Sequence, residues 1–191
     1  TVPGFPEDVH RIAYNPAGTR LAVAAGFGSK GSVRVYDAAA GTGVWAAHWS
    51  DDCPYPVGWS ADGNRLVAAG EKRVVAWDGA GRRVAGFDLP SVVCTSLSVS
   101  PDGTRVALSF GRGKQRTEVR EIDGGRLVWE AEGWHAAFSP DGTRVAVGLD
   151  AEARVLDARD GRRLVSNGGH VGNVACAAFR PGGAEVLTSD R

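Results

Sequence analysis

The densest group of reactive side chains is His48, Asp51, Asp52 and Cys53, which puts a base, two carboxylates and a thiol within six residues. A Cys–His pair becomes nucleophilic when the imidazole sits ~3 Å from the sulfur, and acyl transfer then also needs donors for an oxyanion. No Gly-rich elbow accompanies this group, and Pro54 and Pro56 punctuate it as a loop. No catalytic residue is therefore assigned. The three cysteines, Cys53, Cys94 and Cys176, are too few and too scattered for a zinc site or a disulfide framework. Cys53 and Cys94 occupy similar loops, so a bridge is geometrically conceivable, but free thiols in a reducing compartment are expected. No metal and no cofactor is expected.

A different chemistry is offered by Gly111-Arg-Gly-Lys-Gln-Arg-Thr117, where Arg112, Lys114 and Arg116 share five residues. Such a loop suits an acidic or phosphorylated partner. It is not a phosphate loop of the nucleotide-binding kind, because the strand-to-helix context is absent. Gly26-Phe-Gly-Ser-Lys-Gly31 is a second long loop and exposes Phe27. With Trp49, Tyr55 and Trp134, these residues make a candidate partner-binding face of aromatics and cations, the types that anchor protein interfaces. Trp45, Trp59, Trp77 and Trp129 fall inside strands and are expected in the core. His10, His135 and His170 precede first strands, where a buried structural hydrogen bond is the expected role.

The elements that must position these residues are repeated. Five segments align: Tyr14 to Arg20, Trp59 to Arg65, Val99 to Arg105, Phe138 to Arg144 and Phe179 to Glu185. Their turn glycines, Gly18, Gly63, Gly103, Gly142 and Gly183, are spaced by 45, 40, 39 and 41 residues. Ser-Pro-Asp-Gly, as it stands at 100–103 and 139–142, is a tight-turn sequence: Pro presets φ, Asp bonds the backbone and Gly accepts φ > 0. Short β-rich runs flank each turn and predict a hairpin. A third run ends in an Asp phrase (Tyr36-Asp37, Trp77-Asp78, Ile122-Asp123, Leu156-Asp157), and a fourth follows the next Gly. Helical periodicity never persists, so the chain is all-β, and four strands per ~40 residues is one blade of a β-propeller.

These phrases resemble the WD-repeat β-propeller family over residues 11–191. Trp77-Asp78 is the one full Trp-Asp pair, and Gly169-His170 the one clean Gly-His. The resemblance implies four-stranded antiparallel blades: a leading strand or linker at 1–10, blades at 11–52, 53–90, 91–132 and 133–169, and the first half of a fifth at 170–191. It also implies a structural tetrad of His, Ser or Thr, Asp and Trp. The matching residues are His170, Thr188 or Ser189, and Asp190, with Trp77 the Trp of the intact motif. Four and a half blades leave strand edges open, so the chain is expected to be part of a ring of about seven blades, or of a composite ring closed by a second chain or copy. The absence of Met agrees with a segment of a larger protein.

Function follows only coarsely. The 22 basic and 22 acidic residues cancel, against a nucleic-acid or anionic-membrane binder. Nineteen Arg against three Lys hints at a GC-rich bacterial source. WD-repeat domains display a ring face to proteins or peptides, which implies a non-catalytic, cytoplasmic interaction scaffold within a larger bacterial signalling or regulatory protein. A ligand-sensing or enzymatic propeller would need polar side chains converging in the channel. The positions taken to face it, Ala13, Leu97, Ala136 and Ala177, are small or apolar. The third reading is an assembly module that closes by strand pairing with another chain.

Overall fold

A computed structural model describes residues 8–28, 30–90, 93–111 and 115–190. Pro3 and Pro6 of the leading segment, and Arg112 and Lys114 of the cationic loop, lie outside the described residues. The described residues form eighteen strands and no helix.

Each repeat folds into one antiparallel sheet in simple sequence order. Blade one is β1 (Asp8–Tyr14), β2 (Arg20–Phe27), β3 (Lys30–Asp37) and β4 (Gly43–Trp49). Blade two is β5 (Val57–Trp59), β6 (Arg65–Ala69), β7 (Arg73–Asp78) and β8 (Arg83–Asp88). Blade three is β9 (Cys94–Val99), β10 (Arg105–Phe110), β11 (Arg116–Glu121) and β12 (Leu127–Ala131). Blade four is β13 (His135–Phe138), β14 (Arg144–Leu149), β15 (Glu152–Asp157) and β16 (Arg163–Gly168). A two-stranded sheet follows, β17 (Val174–Phe179) and β18 (Val186–Asp190). The all-β expectation of about four and a half blades holds. The first strand begins at Asp8, three residues ahead of the expected boundary.

The repeated turn works through its hydroxyl. Ser60, Ser100 and Ser139 donate to Asp62, Asp102 and Asp141 at 2.5, 2.6 and 2.5 Å. The same hydroxyls accept the N–H of Arg65, Arg105 and Arg144. The side chain thus closes the hairpin from within, as Ser and Asp do in local backbone bonding. In blade one Asn15 takes this part, its Oδ1 accepting from the Arg20 N–H at 2.8 Å.

Blades pack face to face, and the core lies between them. One cluster joins blades one and two (Val33, Val35, Leu66, Trp77), a second blades two and three (Val74, Leu108, Phe110, Ile122), a third blades three and four (Val119, Trp129, Val145, Val147). The second strands of the four full blades, β2, β6, β10 and β14, are mostly apolar because both their faces are covered. Outer strands are half exposed. The first strands touch in succession, β1 with β5, β5 with β9, β9 with β13 and β13 with β17. They therefore line the axis of the arc.

Candidate functional site

The loops that enter the first strands and those that join second to third strands gather on one face. On it, Phe27 is 78% exposed. The long loop expected at 26–31 is instead a long hairpin. Strands β2 and β3 run on until Phe27 pairs with Lys30. Its glycines answer a different demand. A Cβ on Gly26 would lie 2.2 Å from Cys53 Sγ, and one on Gly31 would lie 2.3 Å from Pro54 Cδ. The segment entering blade two lies flat on this hairpin, and only glycine leaves room for it. Phe27, in the last pair of the hairpin, stands just beyond this contact.

That segment is fastened by Asp52. Its buried carboxylate accepts the backbone N–H groups of Cys53 (2.8 Å), Glu71 (2.9 Å) and Lys72 (3.0 Å). Tyr55 is half-buried and stacks on His10, ring centroids 4.7 Å apart. His10, not His48, meets the thiol: Cys53 Sγ lies 3.4 Å from His10 Nε2. Alternation along β4 turns His48 outward as it turns Trp49 inward. The thiol and imidazole thus come together, but Cys53 is 2% exposed and Asp52 is committed to the backbone. An attacking thiolate needs an accessible sulfur, and this one serves packing. No disulfide links the three cysteines, and burial pushes the Cys94 thiol up to about 12.

Two members of the expected face change character. Trp49 is 6% exposed and packs against Trp77, centroids 6.4 Å apart, with the Arg73 guanidinium over it at 5.4 Å. It is core, not docking surface. Arg116 belongs to β11 rather than to the loop. It donates to Glu118 at 2.6 Å and covers Phe110 at 5.0 Å. Glu118 also receives Arg120 at 2.6 Å, so this cation is spent on a buried carboxylate. Trp134 is half-buried, and its indole N–H is buried without a partner.

The tetrad residues of the fifth sheet come together in part. His170 Nε2 lies 2.7 Å from Thr188 Oγ1, and Nδ1 lies 3.3 Å from Asp190 Oδ2. Asp190 also accepts the Val171 N–H at 3.1 Å. This bond first, then that of the Gly172 N–H, holds its carboxyl below the usual range. Ser189 stands opposite Cys176 in the ladder, so the hydroxyl in the group is that of Thr188. Trp77 lies in blade two, between Trp45 and Trp49.

The axis differs from expectation. Ala136 and Ala177 are buried, and Ala13 and Leu97 pack on the inter-blade clusters. The cavity at the centre of the same face is lined by other residues of these strands and their entries: Arg11, Thr95, Trp134, His135, Asn173 and Cys176. His135 and Cys176 precede Ala136 and Ala177 by one residue and so face the other way, whereas Arg11 and Thr95 precede Ala13 and Leu97 by two residues and lie nearer the loops. The Ala177 N–H donates to His135 Nδ1 at 3.4 Å. Burial first, then the charge of Arg11, keeps the His135 pKa below its ordinary value. Among the described residues, no group of three or more His, Cys, Asp or Glu could hold a metal ion, and no helix is long and apolar enough to cross a membrane.

No protein-family model matches the chain, and no curated protein matches it. Solved structures do. The β-propeller domain of Cps50 (Swd1) from Myceliophteria thermophila superposes with a TM-score of 0.81 at 15% identity, covering 98% of this chain. The chain spans 63% of that domain's length. The fold is the β-propeller that the WD-repeat resemblance implies. In all, 1318 solved chains match, and a fold so widely shared identifies architecture rather than activity.

Proposed function

We propose that this chain is a non-catalytic interaction scaffold that docks a protein or peptide on the face carrying Phe27. The observation that carries the reading is the exposed Phe27 ring at the tip of a hairpin locked by the Gly26–Cys53 and Gly31–Pro54 contacts. An aromatic fixed in advance loses little conformational entropy on binding. Tyr55 and Trp134, both half-buried, lie on the same face. Arg112 and Lys114 are proposed to extend it from the adjacent loop. The cytoplasm, with Cys53 and Cys94 unbridged in a reducing setting, and a parent bacterial signalling protein complete the reading. Affinity purification from the producing cells tests it. Proteins retained by the wild type and lost with Phe27→Asp support it, and an identical set overturns it.

A second reading is favoured by the free edge of β18. Leu187 is 77% exposed, and a groove of about 420 Å³ between β18 and the outer strands of blade four is lined by Val155, Leu164, Val165 and Val186. Two further strands, from a longer chain or a second copy, would complete the fifth blade there. Sizing the wild type against Leu187→Lys tests closure by a second copy. A dimer lost in the variant supports it, and a monomer in both excludes it.

A further inference from the structure

Side chains stitch the first strands together across the blades. The Trp59 indole N–H of β5 donates to the Ala13 carbonyl of β1 at 3.1 Å. The Phe138 N–H of β13 donates to the Ser98 hydroxyl of β9 at 3.0 Å. Between blade four and the fifth sheet the acceptor is a titratable ring: the Ala177 N–H of β17 donates to His135 Nδ1 of β13 at 3.4 Å. A backbone N–H can only donate, so Nδ1 carries no proton and the ring is neutral. Protonation puts the new proton on Nδ1, which then donates instead of accepting. Ala177 is 1% exposed, so its N–H is left buried without an acceptor. Two further links cross this seam and do not titrate near neutrality: the Val174 N–H donates to the Asp150 carbonyl at 2.7 Å, and Arg144 to the Gly183 carbonyl at 2.8 Å.

The elements packed most closely against β13 are β9, β10, β14 and β17. Their titratable or charged residues are Cys94, Arg105, Arg144 and Cys176. Arg105 and Arg144 begin their strands and turn to the Ala158 and Gly183 carbonyls, whereas His135 pairs with Gly148 toward the other end of β14. The Cys94 thiol, pushed up to about 12, is uncharged. Glu132, ahead of β13, and Asp150, after β14, act on Arg154. Arg11 of β1 lines the central cavity with His135, and burial first, then its charge, holds the ring below its ordinary pKa of 6.5. Arg112 and Lys114, beyond Gly111 of the same lining, lie outside the described residues. The seated sheet is therefore favoured above pH 6.5, and this advantage is lost as pH falls below 6.5 toward the folded value. His170 works the other way, since protonation strengthens its pair with Asp190 at 3.3 Å. We infer that His135 is an acid-sensitive latch on the fifth sheet: neutral, its Nδ1 holds β17 against β13, and once protonated it loosens the sheet. The groove beside β18 is walled by Val155, Leu164 and Val165 of blade four and by Val186 of the fifth sheet, so loosening the sheet opens the groove. Strands seated there under the second reading above would be held less tightly in acid, but the latch itself does not rest on that reading.

Hydrogen exchange of the full chain, corrected for the intrinsic rate at each pH, tests the latch. Protection of the β17 and β18 amides is expected to fall about fivefold or more between pH 7.5 and pH 5, while amides of blade three keep theirs. In the wild type, NMR should show the Ala177 amide proton moving upfield in step with the titration of the His135 ring. His135→Asn offers an amide oxygen near the place of Nδ1 and does not titrate, so its fifth sheet should stay equally protected at both pH values. The inference is overturned if wild-type protection of β17 and β18 does not change, if blade three loses as much, or if the Ala177 amide does not follow the His135 titration. It is also overturned if His135→Asn loses protection as the wild type does, which would move the response to His170. Should His135→Asn not fold, the wild-type titration decides alone. A monomer in both sizing experiments with the acid response intact removes the second copy and leaves the latch standing, and a dimer without an acid response does the reverse.

Discussion

The guanidinium of Arg144 donates to the carbonyl of Gly183 at 2.8 Å, so the residue that closes the turn of blade four holds the turn of the fifth sheet. The device repeats: Arg65 reaches the Gly103 carbonyl at 2.9 Å, and Arg105 the Ala158 carbonyl at 3.2 Å. Each joins one blade to the next. In blade one, the corresponding Arg20 leaves a buried guanidinium nitrogen unpartnered.

Arg144 also lies over Phe179, 5.6 Å from its ring. The two-stranded sheet depends on this side chain more than a complete blade would. Arg144→Leu is expected to weaken its attachment by about 1.5–3 kcal/mol, the range for a hydrogen bond to a charged group. Hydrogen exchange reads the effect. Amides of β17 and β18 should lose protection by roughly tenfold or more while those of blade two keep theirs. Uniform loss throughout the chain would contradict a local clamp.

A second device between blades uses aromatics. The ring of Trp129 on β12 lies against Gly161 of the next blade, where an added Cβ would stand 2.9 Å from it, and φ there is +74°. Gly161→Ala is expected to destabilise the fold by about 1–3 kcal/mol, from strain at positive φ together with overpacking. Gly43→Ala is the control, since a Cβ there meets nothing within 4 Å. Urea unfolding should show a lower midpoint for the first variant and almost none for the second. Equal effects would remove Trp129 from the explanation.

Both devices bear on what was legible. The five turns and the Asp phrases gave every sheet and its strand order, because period-2 alternation and turn chemistry are local. The Arg clamps were present in the same phrases, at Arg65, Arg105 and Arg144, but their acceptors lie in the next blade, and no local pattern names them. The glycines at 26 and 31 read as loop signals, although close approach of Cys53 and Pro54 requires glycine there just as well. Trp49 is expected on the face with the other aromatics, yet it is buried. Its neighbour His48 is the exposed member of that pair, and a one-residue difference reverses sides on a strand. His135 stands one residue before Ala136 and so on the other side of its strand, whereas Arg11 stands two before Ala13, on the same side and nearer the loops.

Acid should loosen the hairpin turns. The Asp141 carboxyl is lowered to about 2, first by the Ser139 hydroxyl and then by the Thr143 N–H. Asp62 is lowered in the same way by Ser60 and Asn64, and Asp102 by Ser100 and Thr104 against an opposing effect of burial. A depressed folded pKa adds stability above the unfolded value of 3.8, and this is lost as pH falls toward the folded value. Asp141 is largely exposed, so its share is below about 1 kcal/mol after screening. Melting temperature should fall between pH 4 and pH 2, and less steeply in Asp141→Ala than in the wild type. An identical slope in the variant would remove Asp141 from the acid response.

Thiol labelling separates the three cysteines. Cys176 is exposed beside the central cavity, whereas Cys53 and Cys94 are buried. The thiolate is the reacting species, and Cys94 is pushed up to about 12 by burial. Cys53 has His10 beside it at 3.4 Å but almost no accessible surface. A disulfide reagent at pH 8 should therefore modify one thiol quickly in the folded chain and three after denaturation. Cys176→Ser should abolish the fast phase. If Cys53 reacted as fast as Cys176, the segment entering blade two would have to lift from its hairpin in solution. The locked position of Phe27, and the docking face built on it, would then fail together.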